Sequence, residues 1–181
     1  MKYLLPILLF TVIALAVPAP QGGASSPNFR FSVTRLDGST PAKPEYLGVK
    51  DGLGVITNDT SKIASVYLDP SPRGMLYTSD KIPFYLLQTN DPTVYEFHCG
   101  GIPKVAGVNY TDFGLVDIPC SGACSPGNGK VLAYAPPKDG NRYLGQFRSY
   151  NVSGDQVLKF HTSAPPPGSD SVSVILIQET T

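Results

Sequence analysis

Glycine and proline interrupt this chain so often that a long helix has no room to form. Each supplies 18 of the 181 residues. Proline removes a backbone donor and blocks the preceding turn, and glycine loses the most backbone freedom on ordering. Beyond residue 17 no amphipathic helix of about ten residues fits between these breaks. What fits is a series of short alternating segments.

The first is Phe29-Arg30-Phe31-Ser32-Val33-Thr34, apolar at every second position, which is the period of a half-buried strand. Tyr46 to Val49 and Leu53 to Thr57 flank Lys50-Asp51-Gly52, a hairpin signal. Further strands are expected over Lys62 to Leu68, Met75 to Thr78, Phe84 to Gln88 and Val94 to Cys99. Val105 to Tyr110, Leu115 to Ile118 and Lys130 to Tyr134 are shorter. Pro83 belongs at the start or edge of its strand, because it cannot donate to a ladder. Arg142 to Tyr150 and Gln156 to His161 bracket a turn at Ser153-Gly154-Asp155. Val172 to Gln178 is apolar on both faces and reads as a central strand. The expectation is one all-β domain, a sandwich or a barrel of about 10 to 12 short strands.

The domain is preceded by a leader. Lys2 and an apolar run from Tyr3 to Val17 end in Ala14-Leu15-Ala16, the pattern of a secretory signal peptide cleaved after residue 16. Residues 17–27, rich in Pro, Gly and Ser, read as a flexible arm, and residues 28–181 as the β domain. The polar end Gln178-Glu179-Thr180-Thr181 is unlike a lipid-anchor signal, so no membrane anchor is expected.

Charged residues make up only 15% of the chain, with 14 basic against 14 acidic and no basic cluster. Nucleic acid is therefore not an expected partner. Three sequons suit an exported chain: Asn58-Asp59-Thr60, Asn109-Tyr110-Thr111 and Asn151-Val152-Ser153. Asn58, Asn109 and Asn151 are thus candidate glycosylation sites.

Three cysteines, Cys99, Cys120 and Cys124, imply one disulfide and one thiol left over in an oxidising compartment. Cys99 bridged to Cys120 or Cys124 is favoured, with Cys120 to Cys124 the alternative. A metal site drawn from His98, Cys99, Cys120 and Cys124 is disfavoured, because adjacent strand residues point to opposite faces. No metal or cofactor is expected.

Catalytic signals are sparse. The chain lacks G-x-S-x-G, and its only imidazoles are His98 and His161. Among the acidic candidates for glycosidase chemistry are Glu96, Asp112 and Asp117. Glu96 reads as a strand residue facing water. Gly52-Leu53-Gly54 and Gly127-Asn128-Gly129 read as turns rather than phosphate loops. Ten Tyr and eight Phe without Trp leave a softer possibility, sugar stacking on Tyr77, Tyr85, Tyr95, Tyr110, Tyr134, Tyr143 or Tyr150.

Several segments carry a family resemblance. They are the leader ending Ala-Leu-Ala, Phe29-Arg30-Phe31-Ser32-Val33, Asp37-Gly38-Ser39, and Ala64-Ser65-Val66-Tyr67-Leu68 ahead of Gly74-Met75-Leu76-Tyr77. The late Val152-Ser153-Gly154-Asp155-Gln156-Val157-Leu158 belongs with them. Together these resemble small secreted proteins of ascomycete fungi, and more narrowly the phialide-associated cell-wall protein family. The resemblance covers about a third of the chain and implies a wall-associated, non-enzymatic protein. The resulting expectation is a secreted, non-catalytic extracellular protein whose partners are wall polysaccharide or mannoprotein. An effector acting on a host surface protein is the second reading. A secreted hydrolase using Glu96 or His98 is the third.

Overall fold

Short alternating segments bury their apolar halves only by pairing with one another, and here they pair into a single sheet. The computed structural model describes residues 27–69, 74–117, 129–134, 146–164 and 169–180. The leader, most of the arm, Cys120 and Cys124 lie outside them.

Thirteen strands follow in order: β1 (Phe29–Arg35), β2 (Tyr46–Lys50), β3 (Leu53–Thr57), β4 (Val66–Asp69), β5 (Met75–Thr78), β6 (Phe84–Gln88) and β7 (Val94–Cys99). After them come β8 (Val108–Asn109), β9 (Phe113–Asp117), β10 (Lys130–Tyr134), β11 (Gln146–Val152), β12 (Asp155–His161) and β13 (Ser171–Thr180). All pair antiparallel. The architecture is the all-β one expected, with more strands and one continuous hydrogen-bonded sheet.

The sheet closes on itself. β1 pairs along its whole length with β13, from Phe29 opposite Thr180 to Arg35 opposite Val174. The circuit β1–β2–β3–β12–β11–β13 then returns to β1. Closure removes the free edges that these six strands would expose in an open sheet. Three extensions leave this six-stranded ring. β4 and β5 grow from β1, β7 with β6 and β8 from β3 and β12, and β10 with β9 from β13.

Local chemistry explains the turns. Asp51 and Gly52 take φ of 52° and 76° between β2 and β3, and Ser153 and Gly154 take 52° and 91° between β11 and β12. Two consecutive left-handed residues make the tight hairpin turn whose twist matches its strands. Pro83 bridges to Tyr77 just before β6, as its missing donor requires. β13 is central, as its two apolar faces imply.

Some boundaries differ from the sequence reading. Residues Thr60–Lys62 form a 3₁₀ turn capped by Asp59, so the strand expected from Lys62 begins only at Val66. The cap wins because Asp59 accepts from the Ser61 backbone N–H at 3.0 Å, a local bond that competes with a ladder. Gly54 is a strand residue, not part of the turn. Its missing side chain leaves room for Phe97, whose ring carbon lies 2.6 Å from where a Cβ would stand.

Phe97 belongs to a closed circuit of five aromatic rings. Phe97, Phe147, Phe160, Tyr134 and Phe113 contact in turn, with centroids 5.2 to 6.1 Å apart. They come from β7, β11, β12, β10 and β9, so the circuit ties two of the three extensions to the ring. Edge-to-face contacts dominate, the arrangement the ring quadrupoles favour.

Candidate functional site

The face of the sheet opposite the Phe core carries the polar chemistry. Residues 147, 158 and 160 point to the core, so strand alternation sends Arg148, Tyr150, Lys159 and His161 the other way. Pairing register extends that face into a row: Ser173 on β13, Arg148 on β11, Lys159 on β12 and Glu96 on β7 stand directly opposite one another in turn.

Within the row the bonds are short. Arg148 donates from Nε to Ser171 Oγ at 2.8 Å and from Nη1 to Ser173 Oγ at 2.6 Å, and Nη2 donates to the Ser171 carbonyl at 2.7 Å. Lys159 donates to one oxygen of Glu96 at 3.2 Å, while the other oxygen lies 3.2 Å from His98 Nε2. The His98 ring stacks on Tyr85 at 5.2 Å. Lys159 also lies over the Tyr150 ring.

These contacts decide what the groups can do. Burial pushes the Glu96 carboxyl up, but the hydrogen bond and charge of Lys159, with His98 beside it, more than offset this and leave it below its usual value. Glu96 is thus held ionised, the wrong state for a general acid. It does not simply face water. His161 is buried at 4% exposure, with Nε2 2.8 Å from the Tyr150 hydroxyl. Burial first, then the charges of Arg148 and Lys159, hold its pKa below the ordinary imidazole value against the opposing pull of Asp91. Neutral His161 and the Tyr150 hydroxyl share this hydrogen bond, and the imidazole tautomer sets which of them donates.

Cys99 points away from His98 into the core, opposite Phe84, as alternation predicts. It is a buried free thiol, and burial pushes its pKa up to about 11. Cys120 and Cys124 lie outside the described residues, and so does the pairing expected for them. Among the described residues no cluster of three potential metal ligands occurs. Asp112 hydrogen-bonds Thr111, and Asp117 is exposed at the end of β9; neither joins the row. Asn58 and Asn151 are exposed, and Asn109 is half-buried in β8.

The tyrosines sort clearly. Tyr134 and Tyr85 are buried, Tyr150 is engaged with His161, Tyr95 is half-buried against the core, and Tyr143 lies outside the described residues. Tyr77 pairs with a residue the sequence list omitted. Tyr67 on β4 stands opposite Tyr77 on β5, and their rings stack at 5.3 Å with planes 14° apart. Both lie on the side away from the buried Val66 and Leu76, and both remain half-exposed. Asp69 is on the same face, two residues along. Burial, with the charge of Asp69, raises the Tyr77 pKa, so its hydroxyl stays protonated. The signal was present as a tyrosine in each of two adjacent strands, but only the register makes them a pair.

A cleft of about 280 Å³ runs along the β1–β2 loop beside Pro41, Lys43 and Pro44. Its carboxylate, Glu45, is already taken by a two-pronged bond from Arg35.

No family model, curated protein or solved structure matches the chain. Functional readings of these surfaces rest on their own chemistry. Among the described residues no helix is long and apolar enough to cross a membrane.

Proposed function

We propose that this chain is a secreted, non-catalytic extracellular protein of the fungal cell wall that holds wall polysaccharide or glycoprotein sugar on the Tyr67–Tyr77 pair. The stacked pair on the outer side of an end-of-sheet hairpin carries the reading. The C–H face of a pyranose is weakly positive and settles on the negative face of an aromatic ring. The phenolic hydroxyls, of which that of Tyr77 donates to Met75 Sδ at 3.2 Å, supply donors and acceptors for sugar hydroxyls around it. The leader, the three sequons, the low charge and the resemblance to wall-associated proteins support the export and wall parts of this reading. The ionised, doubly held Glu96 supports a role without acid catalysis.

The test is co-sedimentation of the mature protein with insoluble β-glucan, chitin and mannoprotein-bearing walls. The wild type is retained, and Tyr67→Ala with Tyr77→Ala loses affinity by about tenfold or more, the scale of a binding hot spot. Unchanged circular dichroism confirms that the variant is folded. Failure of the wild type to sediment with any of the three overturns the proposal.

A further inference from the structure

A second surface, independent of the tyrosine pair, lies on β11, β12 and β13. Arg148 is 9% exposed, yet among the described residues its three hydrogen bonds all go to neutral oxygens. Among the described residues it makes no ion pair. Its register partner on β12 is Lys159, a second cation. Like charges directly opposite one another destabilise a ladder, and a buried charge is costly without a counter-charge. The row Ser173–Arg148–Lys159–Glu96 carries two cations and a single carboxylate, and that carboxylate sits at the far end, bonded to Lys159.

The serines give this charge a direction. A hydroxyl oxygen that accepts from a guanidinium turns its own proton away from it. Ser173 accepts from Nη1, so its proton points off the guanidinium. Ser171 accepts from Nε and lies 3.0 Å from Ser169 Oγ. Either hydroxyl can donate in the Ser169–Ser171 bond, which leaves the other proton of the pair to turn outward. Ser169, Ser171 and Ser173 are all half-exposed, while Arg148 behind them is not. The guanidinium thus presents itself at the surface as hydroxyl donors. Charge-assisted donors of this kind select an anionic acceptor over a neutral one.

From this geometry we infer that Arg148, Ser169, Ser171 and Ser173 form a binding site for an oxoanion group, a carboxylate or a sulfate ester carried on a ligand. The anion sits over the serine hydroxyls on the Arg148 side of the row, opposite in sign to the two cations. Glu96 bounds the site on the β7 side, so a ligand with a single anionic group fits better than a densely charged polymer.

The experiment is an NMR titration of the full mature protein at fixed ionic strength, with chloride replaced stepwise. One arm uses galacturonate as the carboxylate probe and the other glucose 6-sulfate. Saturable shifts confined to β11 and β13 are expected from at least one probe, and the responding arm identifies the anion. Ser169→Ala with Ser173→Ala keeps the buried charge and the fold, and weakens binding by at least about tenfold. Arg148→Lys, which keeps the charge but loses the fork, weakens it similarly. Absence of saturable shifts with both probes overturns the site. Equal binding by the serine variant overturns it as well. Neutral glucan is a separate control that reports only on the tyrosine pair, so each reading fails on its own.

Discussion

The Tyr150 hydroxyl and His161 Nε2 are 2.8 Å apart on neighbouring strands, with the two rings nearly parallel at 10°. The surroundings of this pair favour the neutral imidazole. The folded-state pKa of His161 is lowered from 6.5. Stabilisation by the neutral form is complete above the unfolded value and is lost as pH falls from there through the folded value, because the unfolded chain then binds the proton more readily. Urea unfolding of the wild type at pH 7.5 and pH 5 is expected to show lower stability at pH 5. His161 accounts for at most about 1.4 kcal/mol per pH unit of that fall. Carboxylates contribute further down the scale. His161→Gln, which cannot take up the proton, removes the histidine share. An identical pH dependence in both proteins refutes this role.

Gly54 and Phe97 set a second prediction. A Cβ at position 54 would stand 2.6 Å from the Phe97 ring, inside the aromatic circuit. Gly54→Ala is expected to destabilise by about 1–3 kcal/mol, the range for overpacking a dense core. Gly154→Ala meets no atom within 4 Å but requires φ near 91°, so it strains only the hairpin turn. Thermal melts of the two variants separate steric crowding from backbone strain.

Cys99 is expected to behave as an inert thiol. A thiol with a pKa of about 11 and 6% exposure offers almost no thiolate at neutral pH. Iodoacetamide should leave it unmodified in the native protein and label it after unfolding without reductant. A Cys99-containing disulfide in the non-reduced peptide map contradicts the free thiol.

Glu96 joins β7 to β12 through Lys159. Glu96→Gln keeps the shape and removes the charge, at an expected cost of about 1 kcal/mol. Polysaccharide retention at the Tyr67–Tyr77 pair should be unchanged, since Glu96 lies on another part of the sheet. Loss of a hydrolytic activity in this variant would favour the hydrolase reading instead.

Local patterns were legible in the chain itself. Alternation at Phe29, Phe31 and Val33 gave the first strand and its buried face. Asp51-Gly52 and Ser153-Gly154 marked hairpin turns, because only residues tolerant of positive φ serve there. The opposed directions of His98 and Cys99 followed from their adjacency. Gly54 reads both as part of the strand from Leu53 and as part of a turn, and the reason it is glycine was not legible, since the ring that needs its space comes from residue 97.

Register and closure were decided only in three dimensions. Nothing local brings Phe29 opposite Thr180 or Arg148 beside Ser173. Those meetings depend on which strands pair across long separations, and strand periodicity is blind to the choice of partner. The sequence by itself determined which side of a strand such as β1 would be dry, because its apolar residues alternate. The tertiary structure decided which charges share a row, since β pairing joins residues by register and not by their distance along the chain.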